Sequence, residues 1–243
     1  MEARERKSVS VWSQVGLHPD LSPPTVTLKV MLDMLDLVAP LLCGGCGAPA
    51  TRWCPQCADA LGVEPGEPLV VSPRMDPQVP VFALGRYTGV RRQAILALKE
   101  RGRTDLVAPL AHALAVGIHR LLCWGMVDTP LTLVPAPTRR SAARRRGGDP
   151  VNRIAKAAVA HHPHITVTAA LRMRALARDS VGLDTSARER NIAGRVRLCG
   201  ARPGSEVLLV DDVVTTGATA RESVRVLQAA GVQVAAVLAV AAA

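Results

Sequence analysis

Asp211 and Asp212 stand side by side after four apolar residues, Val207-Leu208-Leu209-Val210, and before the turn Val214-Thr215-Thr216-Gly217-Ala218-Thr219. Residues of helical composition and spacing follow from Ala220 to Leu227. The apolar run suits a strand buried on both faces of a parallel sheet. Strand, acidic pair, turn, helix: that order places the turn at a strand's carboxyl end and at a helix N-terminus. Free N–H groups and the positive end of the helix dipole converge there, so the turn is an anion site that a phosphate fits. Gly217 allows close backbone approach, and the hydroxyls of Thr215, Thr216 and Thr219 can donate to phosphate oxygens. The carboxylates are placed to hold ribose hydroxyls, directly or through a hydrated Mg²⁺. The bland rival is a buried strand followed by an exposed turn and a capped helix. Each part of the pattern is common alone, and the conjunction is rare.

A second constellation is Cys43-Gly44-Gly45-Cys46 followed by Cys54-Pro55-Gln56-Cys57. Two C-x-x-C knuckles this close can wrap one tetrahedral Zn²⁺, each giving two thiolates, and four Cys close the shell, as in a structural site. Gly44, Gly45 and Gly47 permit the tight turns that aim the sulfurs inward. Redox chemistry is the rival, and two copies outside a βαβ context weigh against it. Cys123 and Cys199 sit in apolar sequence and read as core residues.

These sites need a scaffold, and composition bounds it. Hydrophobic residues make up 49% of the 243, yet aromatics only 2%, so the core must be aliphatic. The formal charge of +10 favours anionic partners, phosphorylated metabolites or nucleic acid. No secretory pattern opens the chain and no uninterrupted apolar run reaches membrane length, so no span is expected. Clustered thiols point to a reducing compartment, and the expected location is cytoplasmic.

Four segments are expected. Residues 1–30 are charged and turn-rich without apolar period, a disordered or mis-called extension, with Met31 a plausible start. Residues 31–62 hold a short amphipathic helix and the cysteine finger. Residues 63–80 carry Pro65, Pro68, Pro73, Pro77 and Pro80, a linker composition. Residues 81–243 alternate strands and helices, which predicts an α/β domain: a parallel sheet flanked by helices. Strands are expected at 81–87, 132–134, 165–168, 206–210 and 232–240. Helices are expected at 91–101, 106–122, 151–160 and from Ser186 through Ile192. His112 and His119 read as surface or core-edge residues, and His161, His162 and His164 lack a ligand pattern. Pro135-Ala136-Pro137, with Arg139 and Arg140, could present amides and guanidinium groups to an anion. Residues 172–186 form a polar loop of functional length.

The acidic pair with its Thr-Gly turn resembles the 5-phosphoribosyl-1-pyrophosphate (PRPP) signature of type I phosphoribosyltransferases. Further motifs occur in order: the two knuckles, Leu98-Lys99-Glu100-Arg101-Gly102-Arg103, Val134-Pro135-Ala136-Pro137 with its Arg-rich follow-on, and Arg188-Glu189-Arg190-Asn191. Together they resemble the ComF family, a zinc finger joined to a type I phosphoribosyltransferase-like domain, over roughly residues 35–240. The resemblance implies PRPP and Mg²⁺ at Asp211, Asp212 and Val214–Thr219, with pyrophosphate at Pro135, Ala136, Pro137, Arg139 and Arg140. It makes Lys99 a candidate phosphate contact, and Arg178, Arg188, Arg190 and Asn191 parts of a loop closing over substrate. The implied activity is transfer of phosphoribose to an unknown acceptor, a nitrogen nucleophile by expectation. The alternative is an accessory protein of DNA uptake in competence, binding PRPP or single-stranded DNA. Two departures stand out. Arg146-Gly147-Gly148-Asp149-Pro150 replaces the family's R-G-F-N-Q, and Ser180 stands where Gln usually precedes a Gly-Leu pair.

Overall fold

The computed structural model describes residues 41–138, 149–174 and 194–243. The expectations for the extension 1–30, the helix at 31–38, Arg139, Arg140, Arg178, Ser180, Arg188, Arg190 and Asn191 lie outside the described residues.

The described elements run α1 (Pro55–Leu61), β1 (Leu69–Val70), β2 (Val81–Ala83), α2 (Gly89–Glu100), a 3₁₀ turn (Thr104–Leu106) and α3 (Val107–Cys123). Then come β3 (Leu131–Pro135), α4 (Pro150–Ala158), β4 (Ile165–Val167), β5 (Leu171–Met173) and β6 (Val196–Leu198). Last are β7 (Glu206–Val214), α5 (Ala218–Ala229) and β8 (Val234–Ala242). The main sheet has the order β1-β2-β8-β7-β3-β4. Every pair in it is parallel except β1 with β2. The protein is therefore α/β with a mostly parallel mixed sheet flanked by helices.

The apolar run of β7 is continuous because both its faces are covered. Leu208 and Val210 point into a core shared with α2, α3 and α4. Val207 and Leu209 point to the other side, where α5 and the β5–β6 pair lie. Leu208 and Leu209 are both fully buried, and each such side chain contributes about 2 kcal/mol. A charge at either position, as in Leu208→Asp, would break the layer it faces. The core is aliphatic, as composition requires, with Phe82 its one buried phenyl ring. Residues 104–123 are long and apolar enough by composition to cross a membrane. In this fold they are a core helix: Leu110, Leu114, Ile118 and Leu121 of α3 are buried.

Several boundaries differ from the sequence reading, each for a physical reason. The signature strand does not end at Val210. It runs on to Val214, because β8 continues to pair with it as far as Ala242. Arg172 and Met173, expected as the start of a loop, belong to β5, which runs antiparallel to β6. Each of these strands has only three residues and the partner is distant in sequence, so no period could reveal them. Cys123 is exposed at the end of α3 and Cys199 is half-buried, so neither is the core residue its neighbours implied.

The proline-rich stretch before Val81 is tied down along its length. Arg120 of α3 donates to the carbonyls of Val63, Glu64 and Glu67. Arg91 of α2, itself buried, reaches the Gly62 carbonyl at 3.2 Å and the Val240 carbonyl at 3.5 Å. Leu69 and Val70 pair with β2, and the Val71 N–H donates to Val81. Proline removes donors, but it leaves carbonyls for arginines to clamp.

Candidate metal centre and anion cleft

The first knuckle is shaped by its glycines. Gly47 adopts φ +79°, closing a turn in which its N–H donates to the Cys43 carbonyl and the Cys43 N–H to Ala48. A side chain on Gly45 would lie 2.6 Å from the Cys57 sulfur, so only glycine leaves room for the second knuckle. Cys54 precedes α1 and Cys57 lies within it, and that helix carries Pro55 where a missing N–H costs nothing. All four sulfurs lie within 4.8 Å of one another. Cys54 Sγ is 3.7 Å from both Cys43 Sγ and Cys46 Sγ. Thiolates about 2.3 Å from a tetrahedral zinc stand about 3.8 Å apart, so the spacing is that of a metal shell. It is far too long for a disulfide.

The electrostatics divide the thiols. Burial opposes ionisation of Cys43, but the N–H groups of Cys46, Cys54 and Gly45 outweigh it and hold the thiol at about 6. Burial, reinforced by the neighbouring thiols, pushes Cys57 up instead. A cation among the sulfurs removes that conflict, because it favours four thiolates at once. The cluster can bind a metal, and its donor set suits zinc. The finger is also docked: Arg103 donates to Leu42 and Arg52 carbonyls, and Gly44 packs on Leu106.

The second site lies at the carboxyl end of β7. Alternation along the strand sends consecutive carboxylates to opposite faces. Asp212 follows Leu208 and Val210 toward α2, where Lys99 Nζ meets its Oδ2 at 2.7 Å. Asp212 is only 7% exposed, so this pair is shielded from water more than a surface ion pair. Asp211 faces the other way, and its Oδ1 accepts the Asp212 N–H at 2.8 Å. Burial and the charge of Asp212 push Asp211 well above the ordinary carboxylate range, against the pull of Lys99.

A third carboxylate joins them. Asp149 caps α4 by accepting from the N–H groups of Val151 and Asn152, and it also takes the Thr138 hydroxyl at 2.9 Å. Burial raises it, with a smaller contribution from Asp212. Sequence reasoning noted Asp149 as a departure and missed that it faces the acidic pair. Only the sheet order, with β3 beside β7, brings it there.

Asp211 and Val213–Ala220 line an open cleft. Val214, Thr215, Thr216, Gly217, Ala218 and Thr219 are thus brought together as expected. Gly217 is the N-cap of α5 with φ +82°. The Ala218 N–H turns back to the Thr216 hydroxyl at 3.4 Å. Among the described residues, the N–H groups of Thr216, Gly217 and Thr219 have no acceptor. Those donors, at a helix N-terminus, can take an anion.

Two sequence arguments are corrected by this geometry. The close approach that Gly217 permits is made by protein: a side chain there would lie 2.6 Å from the Met75 carbonyl oxygen and 2.7 Å from Pro73. The Pro135-Ala136-Pro137 segment cannot present amides to an anion, since only Ala136 has an N–H and it donates to Val210 at 2.7 Å. Lys99, expected at a phosphate, is held on the acidic pair. No family model matches the chain, and no curated protein matches it.

Proposed function

We propose that this protein binds PRPP and transfers its phosphoribosyl group, on a domain of type I phosphoribosyltransferase kind resembling ComF. One observation carries the reading: a single strand end supplies two carboxylates and, directly after them, a helix N-terminal turn with unpaired donors and three threonines. That is the donor and acceptor pattern a ribose 5-phosphate demands, hydroxyls toward carboxylates and phosphate toward N–H groups. The carboxylate oxygens suit a hydrated Mg²⁺, which would neutralise charge on the pyrophosphate.

The chain's own part is positioning. The turn holds the 5-phosphate, Asp211 at the cleft wall holds the ribose hydroxyls with the Asp212–Lys99 pair behind it, and a nitrogen nucleophile attacks C1 as pyrophosphate leaves with the bonding electrons. Lys99 places a positive charge beside the carboxylates and offsets part of the repulsion between them. No covalent intermediate with the protein is required. On this reading the protein works in the cytoplasm, where its thiols stay reduced.

Calorimetry with PRPP and Mg²⁺ tests binding. Native protein should bind. Thr219→Ala should weaken affinity by about one to two decades, given about 1.5–3 kcal/mol for a hydrogen bond to a charged group. Asp211→Asn with Asp212→Asn should do at least as much. Absence of PRPP binding by native protein would sink the proposal. Pyrophosphate release from PRPP in a metabolite extract then tests transfer. Binding without release, together with salt-sensitive binding of single-stranded DNA, would favour the accessory reading, which the charge of +10 keeps in view.

A further inference from the structure

We infer that the proline-rich strap at residues 71–80 is a positioning element of the anion site, with Pro73 and Met75 fixing the turn from behind. The Met75 N–H donates to the Thr216 carbonyl at 2.8 Å. Where a side chain on Gly217 would lie, Met75 oxygen and the Pro73 ring already fill the space. Neither residue lines the cleft, so the strap touches the turn on the face away from a ligand. It therefore acts through the turn, not by contact with substrate.

The strap is itself held rigidly. Val71 and Val79 pack on the core beneath α5, and the Val71 N–H donates to Val81. Asp76 accepts from both the backbone and the side chain of Gln78, which sits at φ +64°, and Pro77 is buried. Its anchorage matters because the turn has little of its own. Among the described residues nothing accepts the N–H of Thr216 or Gly217, and a glycine in the left-handed region is the freest residue in the segment. A turn that must aim several donors at one anion gains affinity from being fixed beforehand. The strap supplies that constraint with one hydrogen bond and one steric wall.

The consequence for ligand affinity rests on the PRPP reading, whereas the mechanical claim does not. Two measurements separate them: ¹⁵N relaxation of Thr215–Thr219 in unliganded protein, and PRPP affinity by calorimetry. Met75→Pro deletes the donor, Met75→Leu keeps it, and Pro73→Gly removes the Cβ and ring that face Gly217 if Met75→Pro fails to fold. In Met75→Pro or Pro73→Gly, order parameters in the turn should drop from the rigid range near ~0.85 toward ~0.6. PRPP affinity should fall about tenfold, and Met75→Leu should match native protein in both readouts. Unchanged order parameters in the two disruptive variants overturn the inference. So does a loosened turn that binds PRPP as tightly as before. If native protein does not bind PRPP, the functional reading falls and the relaxation data alone decide about the strap.

Discussion

The cysteine cluster and the acidic cleft are built in opposite ways. All four cysteines lie between residues 43 and 57, and their glycine turns and short helix α1 bring the sulfurs to metal-shell spacing with little help. The cleft draws Asp211 and Asp212 from β7, Lys99 from α2, Asp149 from the start of α4 and its rear wall from the strap. The first site is a local solution and should fail locally. The second is a property of the whole sheet, and its parts should be coupled. Perturbing each site and asking how far the damage travels is the way to break or sharpen that contrast.

The largest effect is expected at the cysteines. Cys57→Ser should reduce bound metal from one zinc per chain to nearly none, because three thiolates leave the shell open. Metal analysis with circular dichroism checks this. Helical and sheet signal should persist, since the sheet and α2–α5 have their own cores. Wholesale loss of secondary structure would show the finger to be a keystone instead of a local unit.

Next in size is Lys99→Met. It leaves Asp212 buried without its partner, which should destabilise the fold by about 2–3 kcal/mol in denaturant unfolding. Adding Asp212→Asn should recover most of that loss, a coupling that tests the pair itself. Additive effects would mean that the 2.7 Å contact carries no energy.

A smaller effect of opposite sign is expected at Asp211. Its carboxyl is raised above the ordinary 3.8 in the folded protein, by burial first and by Asp212 second. A raised acid favours folding only while protonated. Its contribution is complete below the unfolded value and is lost as pH climbs through the folded one. Asp211→Asn should therefore melt higher than native protein near neutral pH, with the gap closing as pH falls through the raised value and gone below about 4. An equal or lower melting temperature at neutral pH would show that Lys99 already satisfies both carboxylates.

The smallest effect is at Asp149. Asp149→Ala removes a helix cap, which typically costs about 1 kcal/mol, but it also removes a charge that faces Asp212. The net loss should be under about 1 kcal/mol, and Asp149→Asn, which can still cap, should lose less. Chemical denaturation resolves the two.

The same contrast explains what could be read from the chain. The metal site was legible because its ligands, spacing and turn glycines are contiguous. The strand end, turn and helix around Gly217 were legible because strand, acids, threonines and helix follow one another. The pairing of Lys99 with Asp212 was not, since it depends on α2 lying over the face of β7 that Leu208 and Val210 share. Five prolines hid the anchorage of residues 63–80, whose fixed points are arginine-held carbonyls at 63–67 and the bond from Met75 to Thr216, none of which leaves a pattern in sequence. The carbonyl that Ala136 uses is likewise set by register with β7, so its amide looked free in sequence and is not.

The position of β8 has a consequence for how the protein is made. It lies between β2 and β7, yet it is encoded after every other described element. On the ribosome, β2 meets β8, its parallel neighbour among the described strands, only after the intervening elements are made, and the pairing closes a loop of roughly 150 residues. The sheet's central seam, and with it the ledge that carries Asp211, is completed only by the last of the described strands. A message cut short before β8 would yield a chain with β2 and β7 both exposing unpaired edges, a target for proteolysis or aggregation and unable to present a finished anion cleft.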